Sequence, residues 1–475
     1  LVQCGACQAW TRLIDGPSVE ICKCGASLSG KPTHAVEVPN AFRTNLLRAG
    51  ALEEEVVGGV RHRSIQAEAK TLEFTSVGGF TSKEWVLRYA QEKSQTFRLN
   101  RGPKPQDEND PMGRGFDVQD GRDDSPLHFE LEHQVISADE TLRERVKGFT
   151  PGTEVRRIWL GSPKMTDGLY LLAPSIAPGL ALDRLPSVVL DEPSDSDQPW
   201  RGVQAWIGVR AAAVSASFLV ANRAAFALDI DPEEFDVLEP RRYGEGDPRP
   251  LLSMTDRLIN GAGYCAWLVE PDGADGPRRV AKLIESVLID SNAYPRKDFF
   301  EAAHTETCET SCYRCLRRYG NQPFHGLLDW QLGLAFLRTM VDPTYVVGLD
   351  DAYDNDRWPE IASWRSSART LARKMAERFG PSAAEGEGWT EFAGIPAFRV
   401  VMPGRRRDPS PWVLVRHPLW AWDDIEGPPE GFALHRAWSA VIAAGARAPL
   451  CWDTFNLARR QVFVREAVRL QAARP

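Results

Sequence analysis

The 475-residue sequence predicts a multidomain α+β protein. Three observations carry this. Apolar residues recur with a period of two in some stretches and with a helical period in others, so strands and helices share the chain. The length suffices for two to four cores of ordinary domain size. Seven of the nine cysteines fall into two tight clusters, which adds small loop-rich modules to the periodic segments. The composition, 43% hydrophobic and 26% charged, is that of a folded globular chain. A net charge of −8 argues against a nucleic-acid coat protein but leaves room for a local basic groove. The sequence shows no run of 18 apolar residues and no signal-peptide pattern, so the expectation is a chain with no membrane span. Free cysteines in knuckle-type spacing suit a reducing cytoplasm better than a disulfide framework. The start at Leu1, directly on a cysteine cluster, reads as a piece of a longer protein.

Residues 1–32 form the first module. Cys4-Gly5-Ala6-Cys7 and Cys22-Lys23-Cys24-Gly25 bring four thiolates within folding reach of one another, the set for a closed tetrahedral zinc ribbon. Its role would be folding. "GASLSGKP" (25–32) imitates a phosphate-binding loop, but Pro32 stands where a hydroxyl is needed, so no nucleotide site is expected. Residues 33–154 read as a β-rich domain from "TLEFTSVGGF", "EWVLRYAQ" and "TFRLNRG", with an acidic Pro/Gly-rich loop near 103–126.

From 155 to 342 the pattern becomes mixed α/β. "EVRRIWLG" and "GLYLLAP" read as two strands. "SVVLDEP" (187–193) imitates the acidic strand end of an ATPase, yet without a phosphate loop it reads as a strand running into a turn. "WIGVRAAAVSASFLVANRAAFALDI" contains a helix apolar nearly all round, hence buried, ended by Asp231-Pro232. "RPLLSMTDRLINGAGYCAWLVE" reads as strand, glycine turn and helix, and "DGPRRVAKLIESVL" as a further helix. Residues 343–475 form a C-terminal α/β domain of unassigned role. "SWRSSARTLARKMAERFGP" is an amphipathic helix stopped by Gly380 and Pro381; "AFRVVM" and "PWVLVRHPLW" are strands; "FVREAVRLQAAR" closes the chain as a helix.

The second cysteine cluster lies inside the mixed region. Cys308, Cys312 and Cys315 supply three ligands, and a closed site needs a fourth. His325 is the expected one, returned by a short loop through Gly320 and Pro323. His304 is the alternative, one helical turn before Cys308. A redox pair lacks thioredoxin-like surroundings, and a catalytic zinc lacks an oriented base, since nothing positions Glu306 or Glu309. Two structural Zn²⁺ ions are therefore expected in all. Tyr313, Arg314, Arg317, Arg318 and Tyr319 interleave basic and aromatic groups, suited to holding phosphates and stacking on bases. The turn Asn260–Tyr264, with Asn260, Gly261 and Gly263, either presents backbone N–H groups to a phosphate or simply turns a strand tightly into a helix.

"LINGAGYCAWL" and "CETSCYRCLRRYGNQPFHGLLDWQLGLAFL" resemble the MrfA-type zinc-binding domain. That domain occurs at the C-terminal end of certain superfamily 2 helicases and in the B component (DrmB-like) of DISARM-type phage defence systems. "SASFLVANRAAFALDIDPEEF" and "DGLYLLAP" fit the same domain, so the resemblance covers about 155–342. The N-terminal knuckles and "PNAFRT" resemble the B component. The helicase versions usually show four cysteines where this chain has three. Helicase motor motifs are absent. The resemblance implies a non-catalytic partner of a superfamily 2 helicase that assists DNA engagement in antiviral defence. Two alternatives stand beside it: the C-terminal part of a helicase polypeptide, and a cryptic metal-dependent nuclease using Glu391, Asp408, Arg416 and His417.

Overall fold

The computed structural model describes residues 72–100, 156–186, 200, 203–244, 246–354, 357–381, 388–401, 411–423 and 426–472, with 2–4, 10–11, 22, 26–28, 36–37, 62–67, 116–120 and 133–136. Strands β1 (Val2–Gln3), β2 (Trp10–Thr11), β3 (Val36–Glu37), β4 (His62–Ala67), β5 (Thr75–Val77), β6 (Leu87–Asn100), β7 (Phe116–Asp120), β8 (His133–Ile136), β9 (Arg156–Leu172), β10 (Phe235–Val237), β11 (Arg241–Tyr243) and β12 (Arg249–Asp256) belong to one sheet. Its spine runs β4–β6–β9–β12–β10. A second sheet, in the order β13 (Trp389–Phe392), β14 (Ile395–Arg399), β15 (Trp412–Arg416), β16 (Leu450–Asp453), is antiparallel except for its last pair. The helices are α1 (Ile207–Leu228), α2 (Tyr264–Val269), α3 (Arg279–Leu288), α4 (Arg296–Phe299), α5 (Ala302–Thr305), α6 (Trp330–Val341), α7 (Trp364–Phe379), α8 (Ala433–Ala443), α9 (Thr454–Arg459) and α10 (Gln461–Ala472).

The two strands expected at "EVRRIWLG" and "GLYLLAP" are one. β9 runs 17 residues, paired with β6 without a break from Arg88↔Leu172 to Asn100↔Leu160. Gly161, Ser162 and Pro163 look like a turn in isolation; a long neighbouring ladder overrides that local preference. At its end β9 is covered on both faces. Leu169 and Leu171 enter the main core, while Tyr170 and Leu172 join Leu72, Ala90 and Leu251 on the opposite side.

Helix α1 is buried on nearly every side, as its uniform apolarity predicts, and packs between α6, α3 and β12. By length and composition it would also cross a membrane; here most of it lies inside the protein. It ends at Asp229, whose left-handed backbone closes the helix two residues before Asp231. Gly333 lets α6 approach α1 closely: a Cβ there would lie 2.9 Å from the side chains of Ser215 and Leu219. The helices expected at 279–288, 364–379 and 461–472 form, and Gly380 caps α7.

One hydrophobic core contains residues from both sides of position 342. Backbone bonds from Ala181 N–H to Leu419 O (2.9 Å) and from Ala421 N–H to Gly179 O (2.8 Å) join the two parts. The Arg416 guanidinium lies 4.5 Å from the Trp206 ring, and Trp420 Nε1 donates to Val347 O at 2.9 Å. Near the N-terminus Val2, Cys4, Cys22, Ala26 and Leu28 form a small buried cluster of their own. The loop expected near 103–126 is interrupted by β7 (Phe116–Asp120), which pairs with β8 and β9; its remaining residues, Cys7, Cys24 and "SVVLDEP" lie outside the described residues.

Candidate metal centre and the surface around it

The second cysteine cluster is built from a helix end and a turn. Cys308 N–H donates to His304 O at 2.8 Å, so the chain makes one more helical turn after α5 and sets both side chains on one side. Cys315 N–H then donates to Cys312 O at 3.1 Å, a tight turn that folds the remaining two sulfurs back. The ligand atoms of His304, Cys308, Cys312 and Cys315 all lie within 4.8 Å of one another. Sγ of Cys315 is 3.8 Å from that of Cys308 and 3.7 Å from that of Cys312. Zinc–sulfur bonds of about 2.3 Å in a tetrahedron put sulfurs about 3.8 Å apart, whereas a disulfide needs about 2.0 Å. The spacing excludes a disulfide and would let the sulfurs share an ion.

The histidine is prepared for the same task. His304 Nδ1 lies 3.1 Å from Phe299 O, which fixes the proton on that nitrogen. Nε2 is then a bare lone pair, buried and with no hydrogen-bond partner. An orphan of this kind costs about 1–3 kcal/mol unless something binds it. Trp330 packs edge-on against the ring, and Trp330 N–H holds the loop through Thr310 O at 2.9 Å. Asn222 of α1 reaches Cys315 O at 3.4 Å. Burial, then the neighbouring sulfurs, raises the Cys308 thiol; burial also raises Cys315. Burial opposes ionisation at Cys312 too, but backbone N–H donors and the Cys308 and Cys315 thiols together outweigh it and its thiol is lowered. Metal binding would displace the protons of the thiols it engages.

His325 is not the fourth corner. The 3-10 turn Tyr319–Phe324 directs its ring back along the chain, with Nε2 3.0 Å from both Arg318 O and Asn321 Oδ1. It braces Tyr313, whose ring meets it edge-on at 5.7 Å. His304, the alternative by its four-residue spacing to Cys308, lies with the three sulfurs instead. In the first cluster, Cys4 and Cys22 are buried together, and their expected companions fall outside the described residues.

The basic and aromatic residues divide by role. Tyr313 and Tyr319 are 63% and 81% exposed. Arg314 is exposed and lies 3.7 Å from an exposed Glu301, a pairing worth at most about 1 kcal/mol. Arg317 Nε donates to Ser311 Oγ at 3.0 Å. Arg318 is a brace: it donates to Tyr313 O (3.2 Å), Arg317 O (2.8 Å) and Tyr294 Oη (3.1 Å).

The glycine turn is the tight strand-to-helix connection and not a phosphate cradle. Asp256, fully buried, accepts from the N–H groups of Ala262 (2.8 Å), Tyr264 (3.1 Å) and Cys265 (3.0 Å). The chain's own carboxylate occupies the place an anion would take. Asn260 N–H goes to Met165 O at 2.7 Å, and Gly261 N–H to Leu258 O at 3.0 Å. Gly261 has φ +81°, and a Cβ there would lie 1.9 Å from Asp167 Oδ2. Asn260, Gly261 and Gly263 serve the fold.

The nuclease candidates are likewise held apart. Glu391 is clamped by Arg365 and Arg369, and Asp408 lies outside the described residues. Arg416 is buried 3.5 Å from Asp453 and donates to three carbonyls of its own loop. Burial, then Arg416, pushes the His417 imidazole down to about 3. The unfolded chain takes up that proton near pH 6.5, the folded chain only near pH 3. This contribution is whole above about pH 6.5 and is lost as pH falls, by about 1.4 kcal/mol per pH unit. In His417→Gln the stability-versus-pH curve between about pH 4 and 6 should flatten by close to one proton, read from urea midpoints. Among the described residues the His/Cys set is the one group able to hold a metal ion.

No protein-family model matches the chain. No curated protein matches it. Among solved structures it is similar to the crystal structure of DUF1998 helicase MrfA bound to DNA, with 11% identity and a TM-score of 0.26. The match covers 59% of this chain and 26% of that one, so it spans about a quarter of that helicase. A likeness this distant carries no argument about how this chain works; its own residues do.

Proposed function

We propose that this chain is a non-catalytic, zinc-stabilised partner of a superfamily 2 helicase, helping it engage DNA in the cytoplasm during DISARM-like antiphage defence. The observation that carries the DNA and zinc parts is the closed set His304, Cys308, Cys312 and Cys315 with an exposed Tyr/Arg loop hung from it. A closed four-ligand site with a buried histidine leaves no open position for chemistry; it holds shape. The shape it holds presents Tyr313, Arg314 and Tyr319 outward. The helicase and defence parts rest on the sequence resemblance over about 155–342. A second, four-thiolate zinc at Cys4, Cys7, Cys22 and Cys24 belongs to the same reading.

The test is binding with and without the motor. The purified chain, alone or with a helicase encoded beside it, should retard DNA in a salt-dependent manner and co-purify with that helicase. Arg314→Ala should weaken DNA binding about two- to fivefold at low salt and make the salt slope shallower by about one phosphate. Arg314 is the residue to replace, because Arg318 braces the loop from within. Failure to retard DNA at low salt ends the DNA reading; failure to co-purify ends the helicase reading.

A further inference from the structure

Charge is spread unevenly along the chain. Residues 361–475 carry 17 arginines and lysines against 11 aspartates and glutamates, although the whole chain has a net charge of −8. Such asymmetry points to a polyanionic partner for the basic part. The fold gathers some of these cations at one seam. Arg378, in the last turn of α7, and Arg465 of α10 both lie against the Phe379 ring, 5.2 Å and 5.0 Å from its centroid. Arg378 Nη1 also donates to Gln461 Oε1 at 2.8 Å, which ties the two helices together there. Lys374 lies one turn before Arg378, and Arg469 one turn after Arg465, so each pair shares one side of its helix. Lys374 and Arg378 are exposed, and the Arg465 and Arg469 side chains are 29% and 31% exposed.

We infer that this seam between α7 and α10 is a second DNA contact, gripping backbone phosphates through Lys374, Arg378, Arg465 and Arg469. The inference rests on the DNA reading above and gives the C-terminal part of the chain a place in it. Cations outnumber their partners here. Glu466 alone serves Arg465 at 2.5 Å and Arg469 at 3.3 Å, while Lys374 and Arg378 form no ion pair among the described residues. Like charges one turn apart destabilise a helix, and two such pairs meet at this seam; a bound polyanion offsets both. The Phe379 ring and Gln461 hold guanidiniums in place beforehand, so less side-chain freedom is lost on binding. Guanidinium also matches phosphate in geometry and is weakly hydrated. Contacts of this kind carry no base information, so the seam holds DNA of any sequence.

The experiment uses the full chain with its metal. A labelled DNA duplex is titrated by fluorescence anisotropy at several salt concentrations. The double variant Lys374→Gln with Arg378→Gln should weaken binding roughly tenfold at low salt and make the salt slope shallower by about two. Arg465→Gln should make it shallower by about one. Glu377→Gln, which removes an exposed carboxylate beside Arg378, should tighten binding about twofold at low salt, an effect that a merely structural role would not produce. Metal content and unfolding midpoint identify any variant that loses its fold, and Glu377→Gln still reports if the double variant does. A double variant that binds with the parent's affinity and slope overturns the inference while the DNA reading stands. So does a Glu377→Gln variant that binds no more tightly than the parent. A double variant that keeps DNA and loses the co-purifying helicase also overturns it, and the seam is then a protein contact. A parent that binds no DNA overturns both.

Discussion

His304→Ala should empty the metal centre, and His325→Ala should leave it loaded. The two histidines flank the cysteine cluster, one before Cys308 and one after Cys315, so the pair isolates geometry from composition. His304 offers a buried lone pair with its other nitrogen tied to Phe299 O; both contacts of His325 Nε2 are oxygens of its own turn. A closed structural zinc contributes on the order of 10 kcal/mol to the fold that holds it. Removing one of four ligands forfeits much of that. The loss falls on the segment from α5 to α6, where Asn222, Thr310 and Trp330 are tied to the loop. Metal per chain by plasma mass spectrometry should drop by one for His304→Ala, Cys308→Ser and Cys315→Ser, with a large fall in the unfolding midpoint. His325→Ala should keep its metal and lose only the support under Tyr313. The reverse pattern would restore His325 as the ligand.

Glu360→Gln should destabilise the protein by about 3–5 kcal/mol, because it leaves an unpaired cation in the core. The Arg338 and Glu360 side chains are 4% and 0% exposed, with Nε 2.5 Å from Oε1. Arg338 Nη2 also donates to Leu288 O at 3.0 Å. Its guanidinium lies among Trp358 at 4.8 Å, Tyr345 at 5.6 Å and Trp85 at 5.9 Å. Burial, then the Glu360 carboxylate, holds the Tyr345 phenol far above its ordinary range, so it remains neutral and adds no second charge. Arg338→Met alone strands the carboxylate and should cost a similar amount. The double variant Arg338→Met with Glu360→Leu should recover most of the loss, since an apolar pair of like volume avoids the desolvation of two ions. Urea midpoints decide it. A single variant within about 1 kcal/mol of the parent would mean that water reaches the pair.

Much of the fold was readable in the residues. Uniform apolarity marks α1 as a core helix, and an apolar stripe ended by Gly380 marks α7. "RPLLSMTDRLINGAGYCAWLVE" names its strand, turn and helix in order. These are local properties, written in periods of two to four residues. The cysteine spacing likewise names three ligands and the chemistry they share.

Other features depend on residues far apart in sequence. Whether Gly161 to Pro163 forms a turn depends on β6, some sixty positions earlier; the ladder there makes it strand. Whether the NGAGY turn can receive a phosphate depends on Asp256, whose carboxylate reaches its N–H groups first. Ligand choice between two histidines depends on which ring nitrogen a neighbouring carbonyl engages. Phe226 reads as one more apolar residue on a core helix until Tyr294 and Arg318 are placed beside it. The sequence by itself determined the element types, the buried helix and the thiol ligands, because periodicity and spacing act over a few residues. Tertiary structure alone decided which histidine lies with the thiols, the partners of the glycine turn and the surroundings of Phe226, because each depends on groups that only folding brings within hydrogen-bonding or stacking distance.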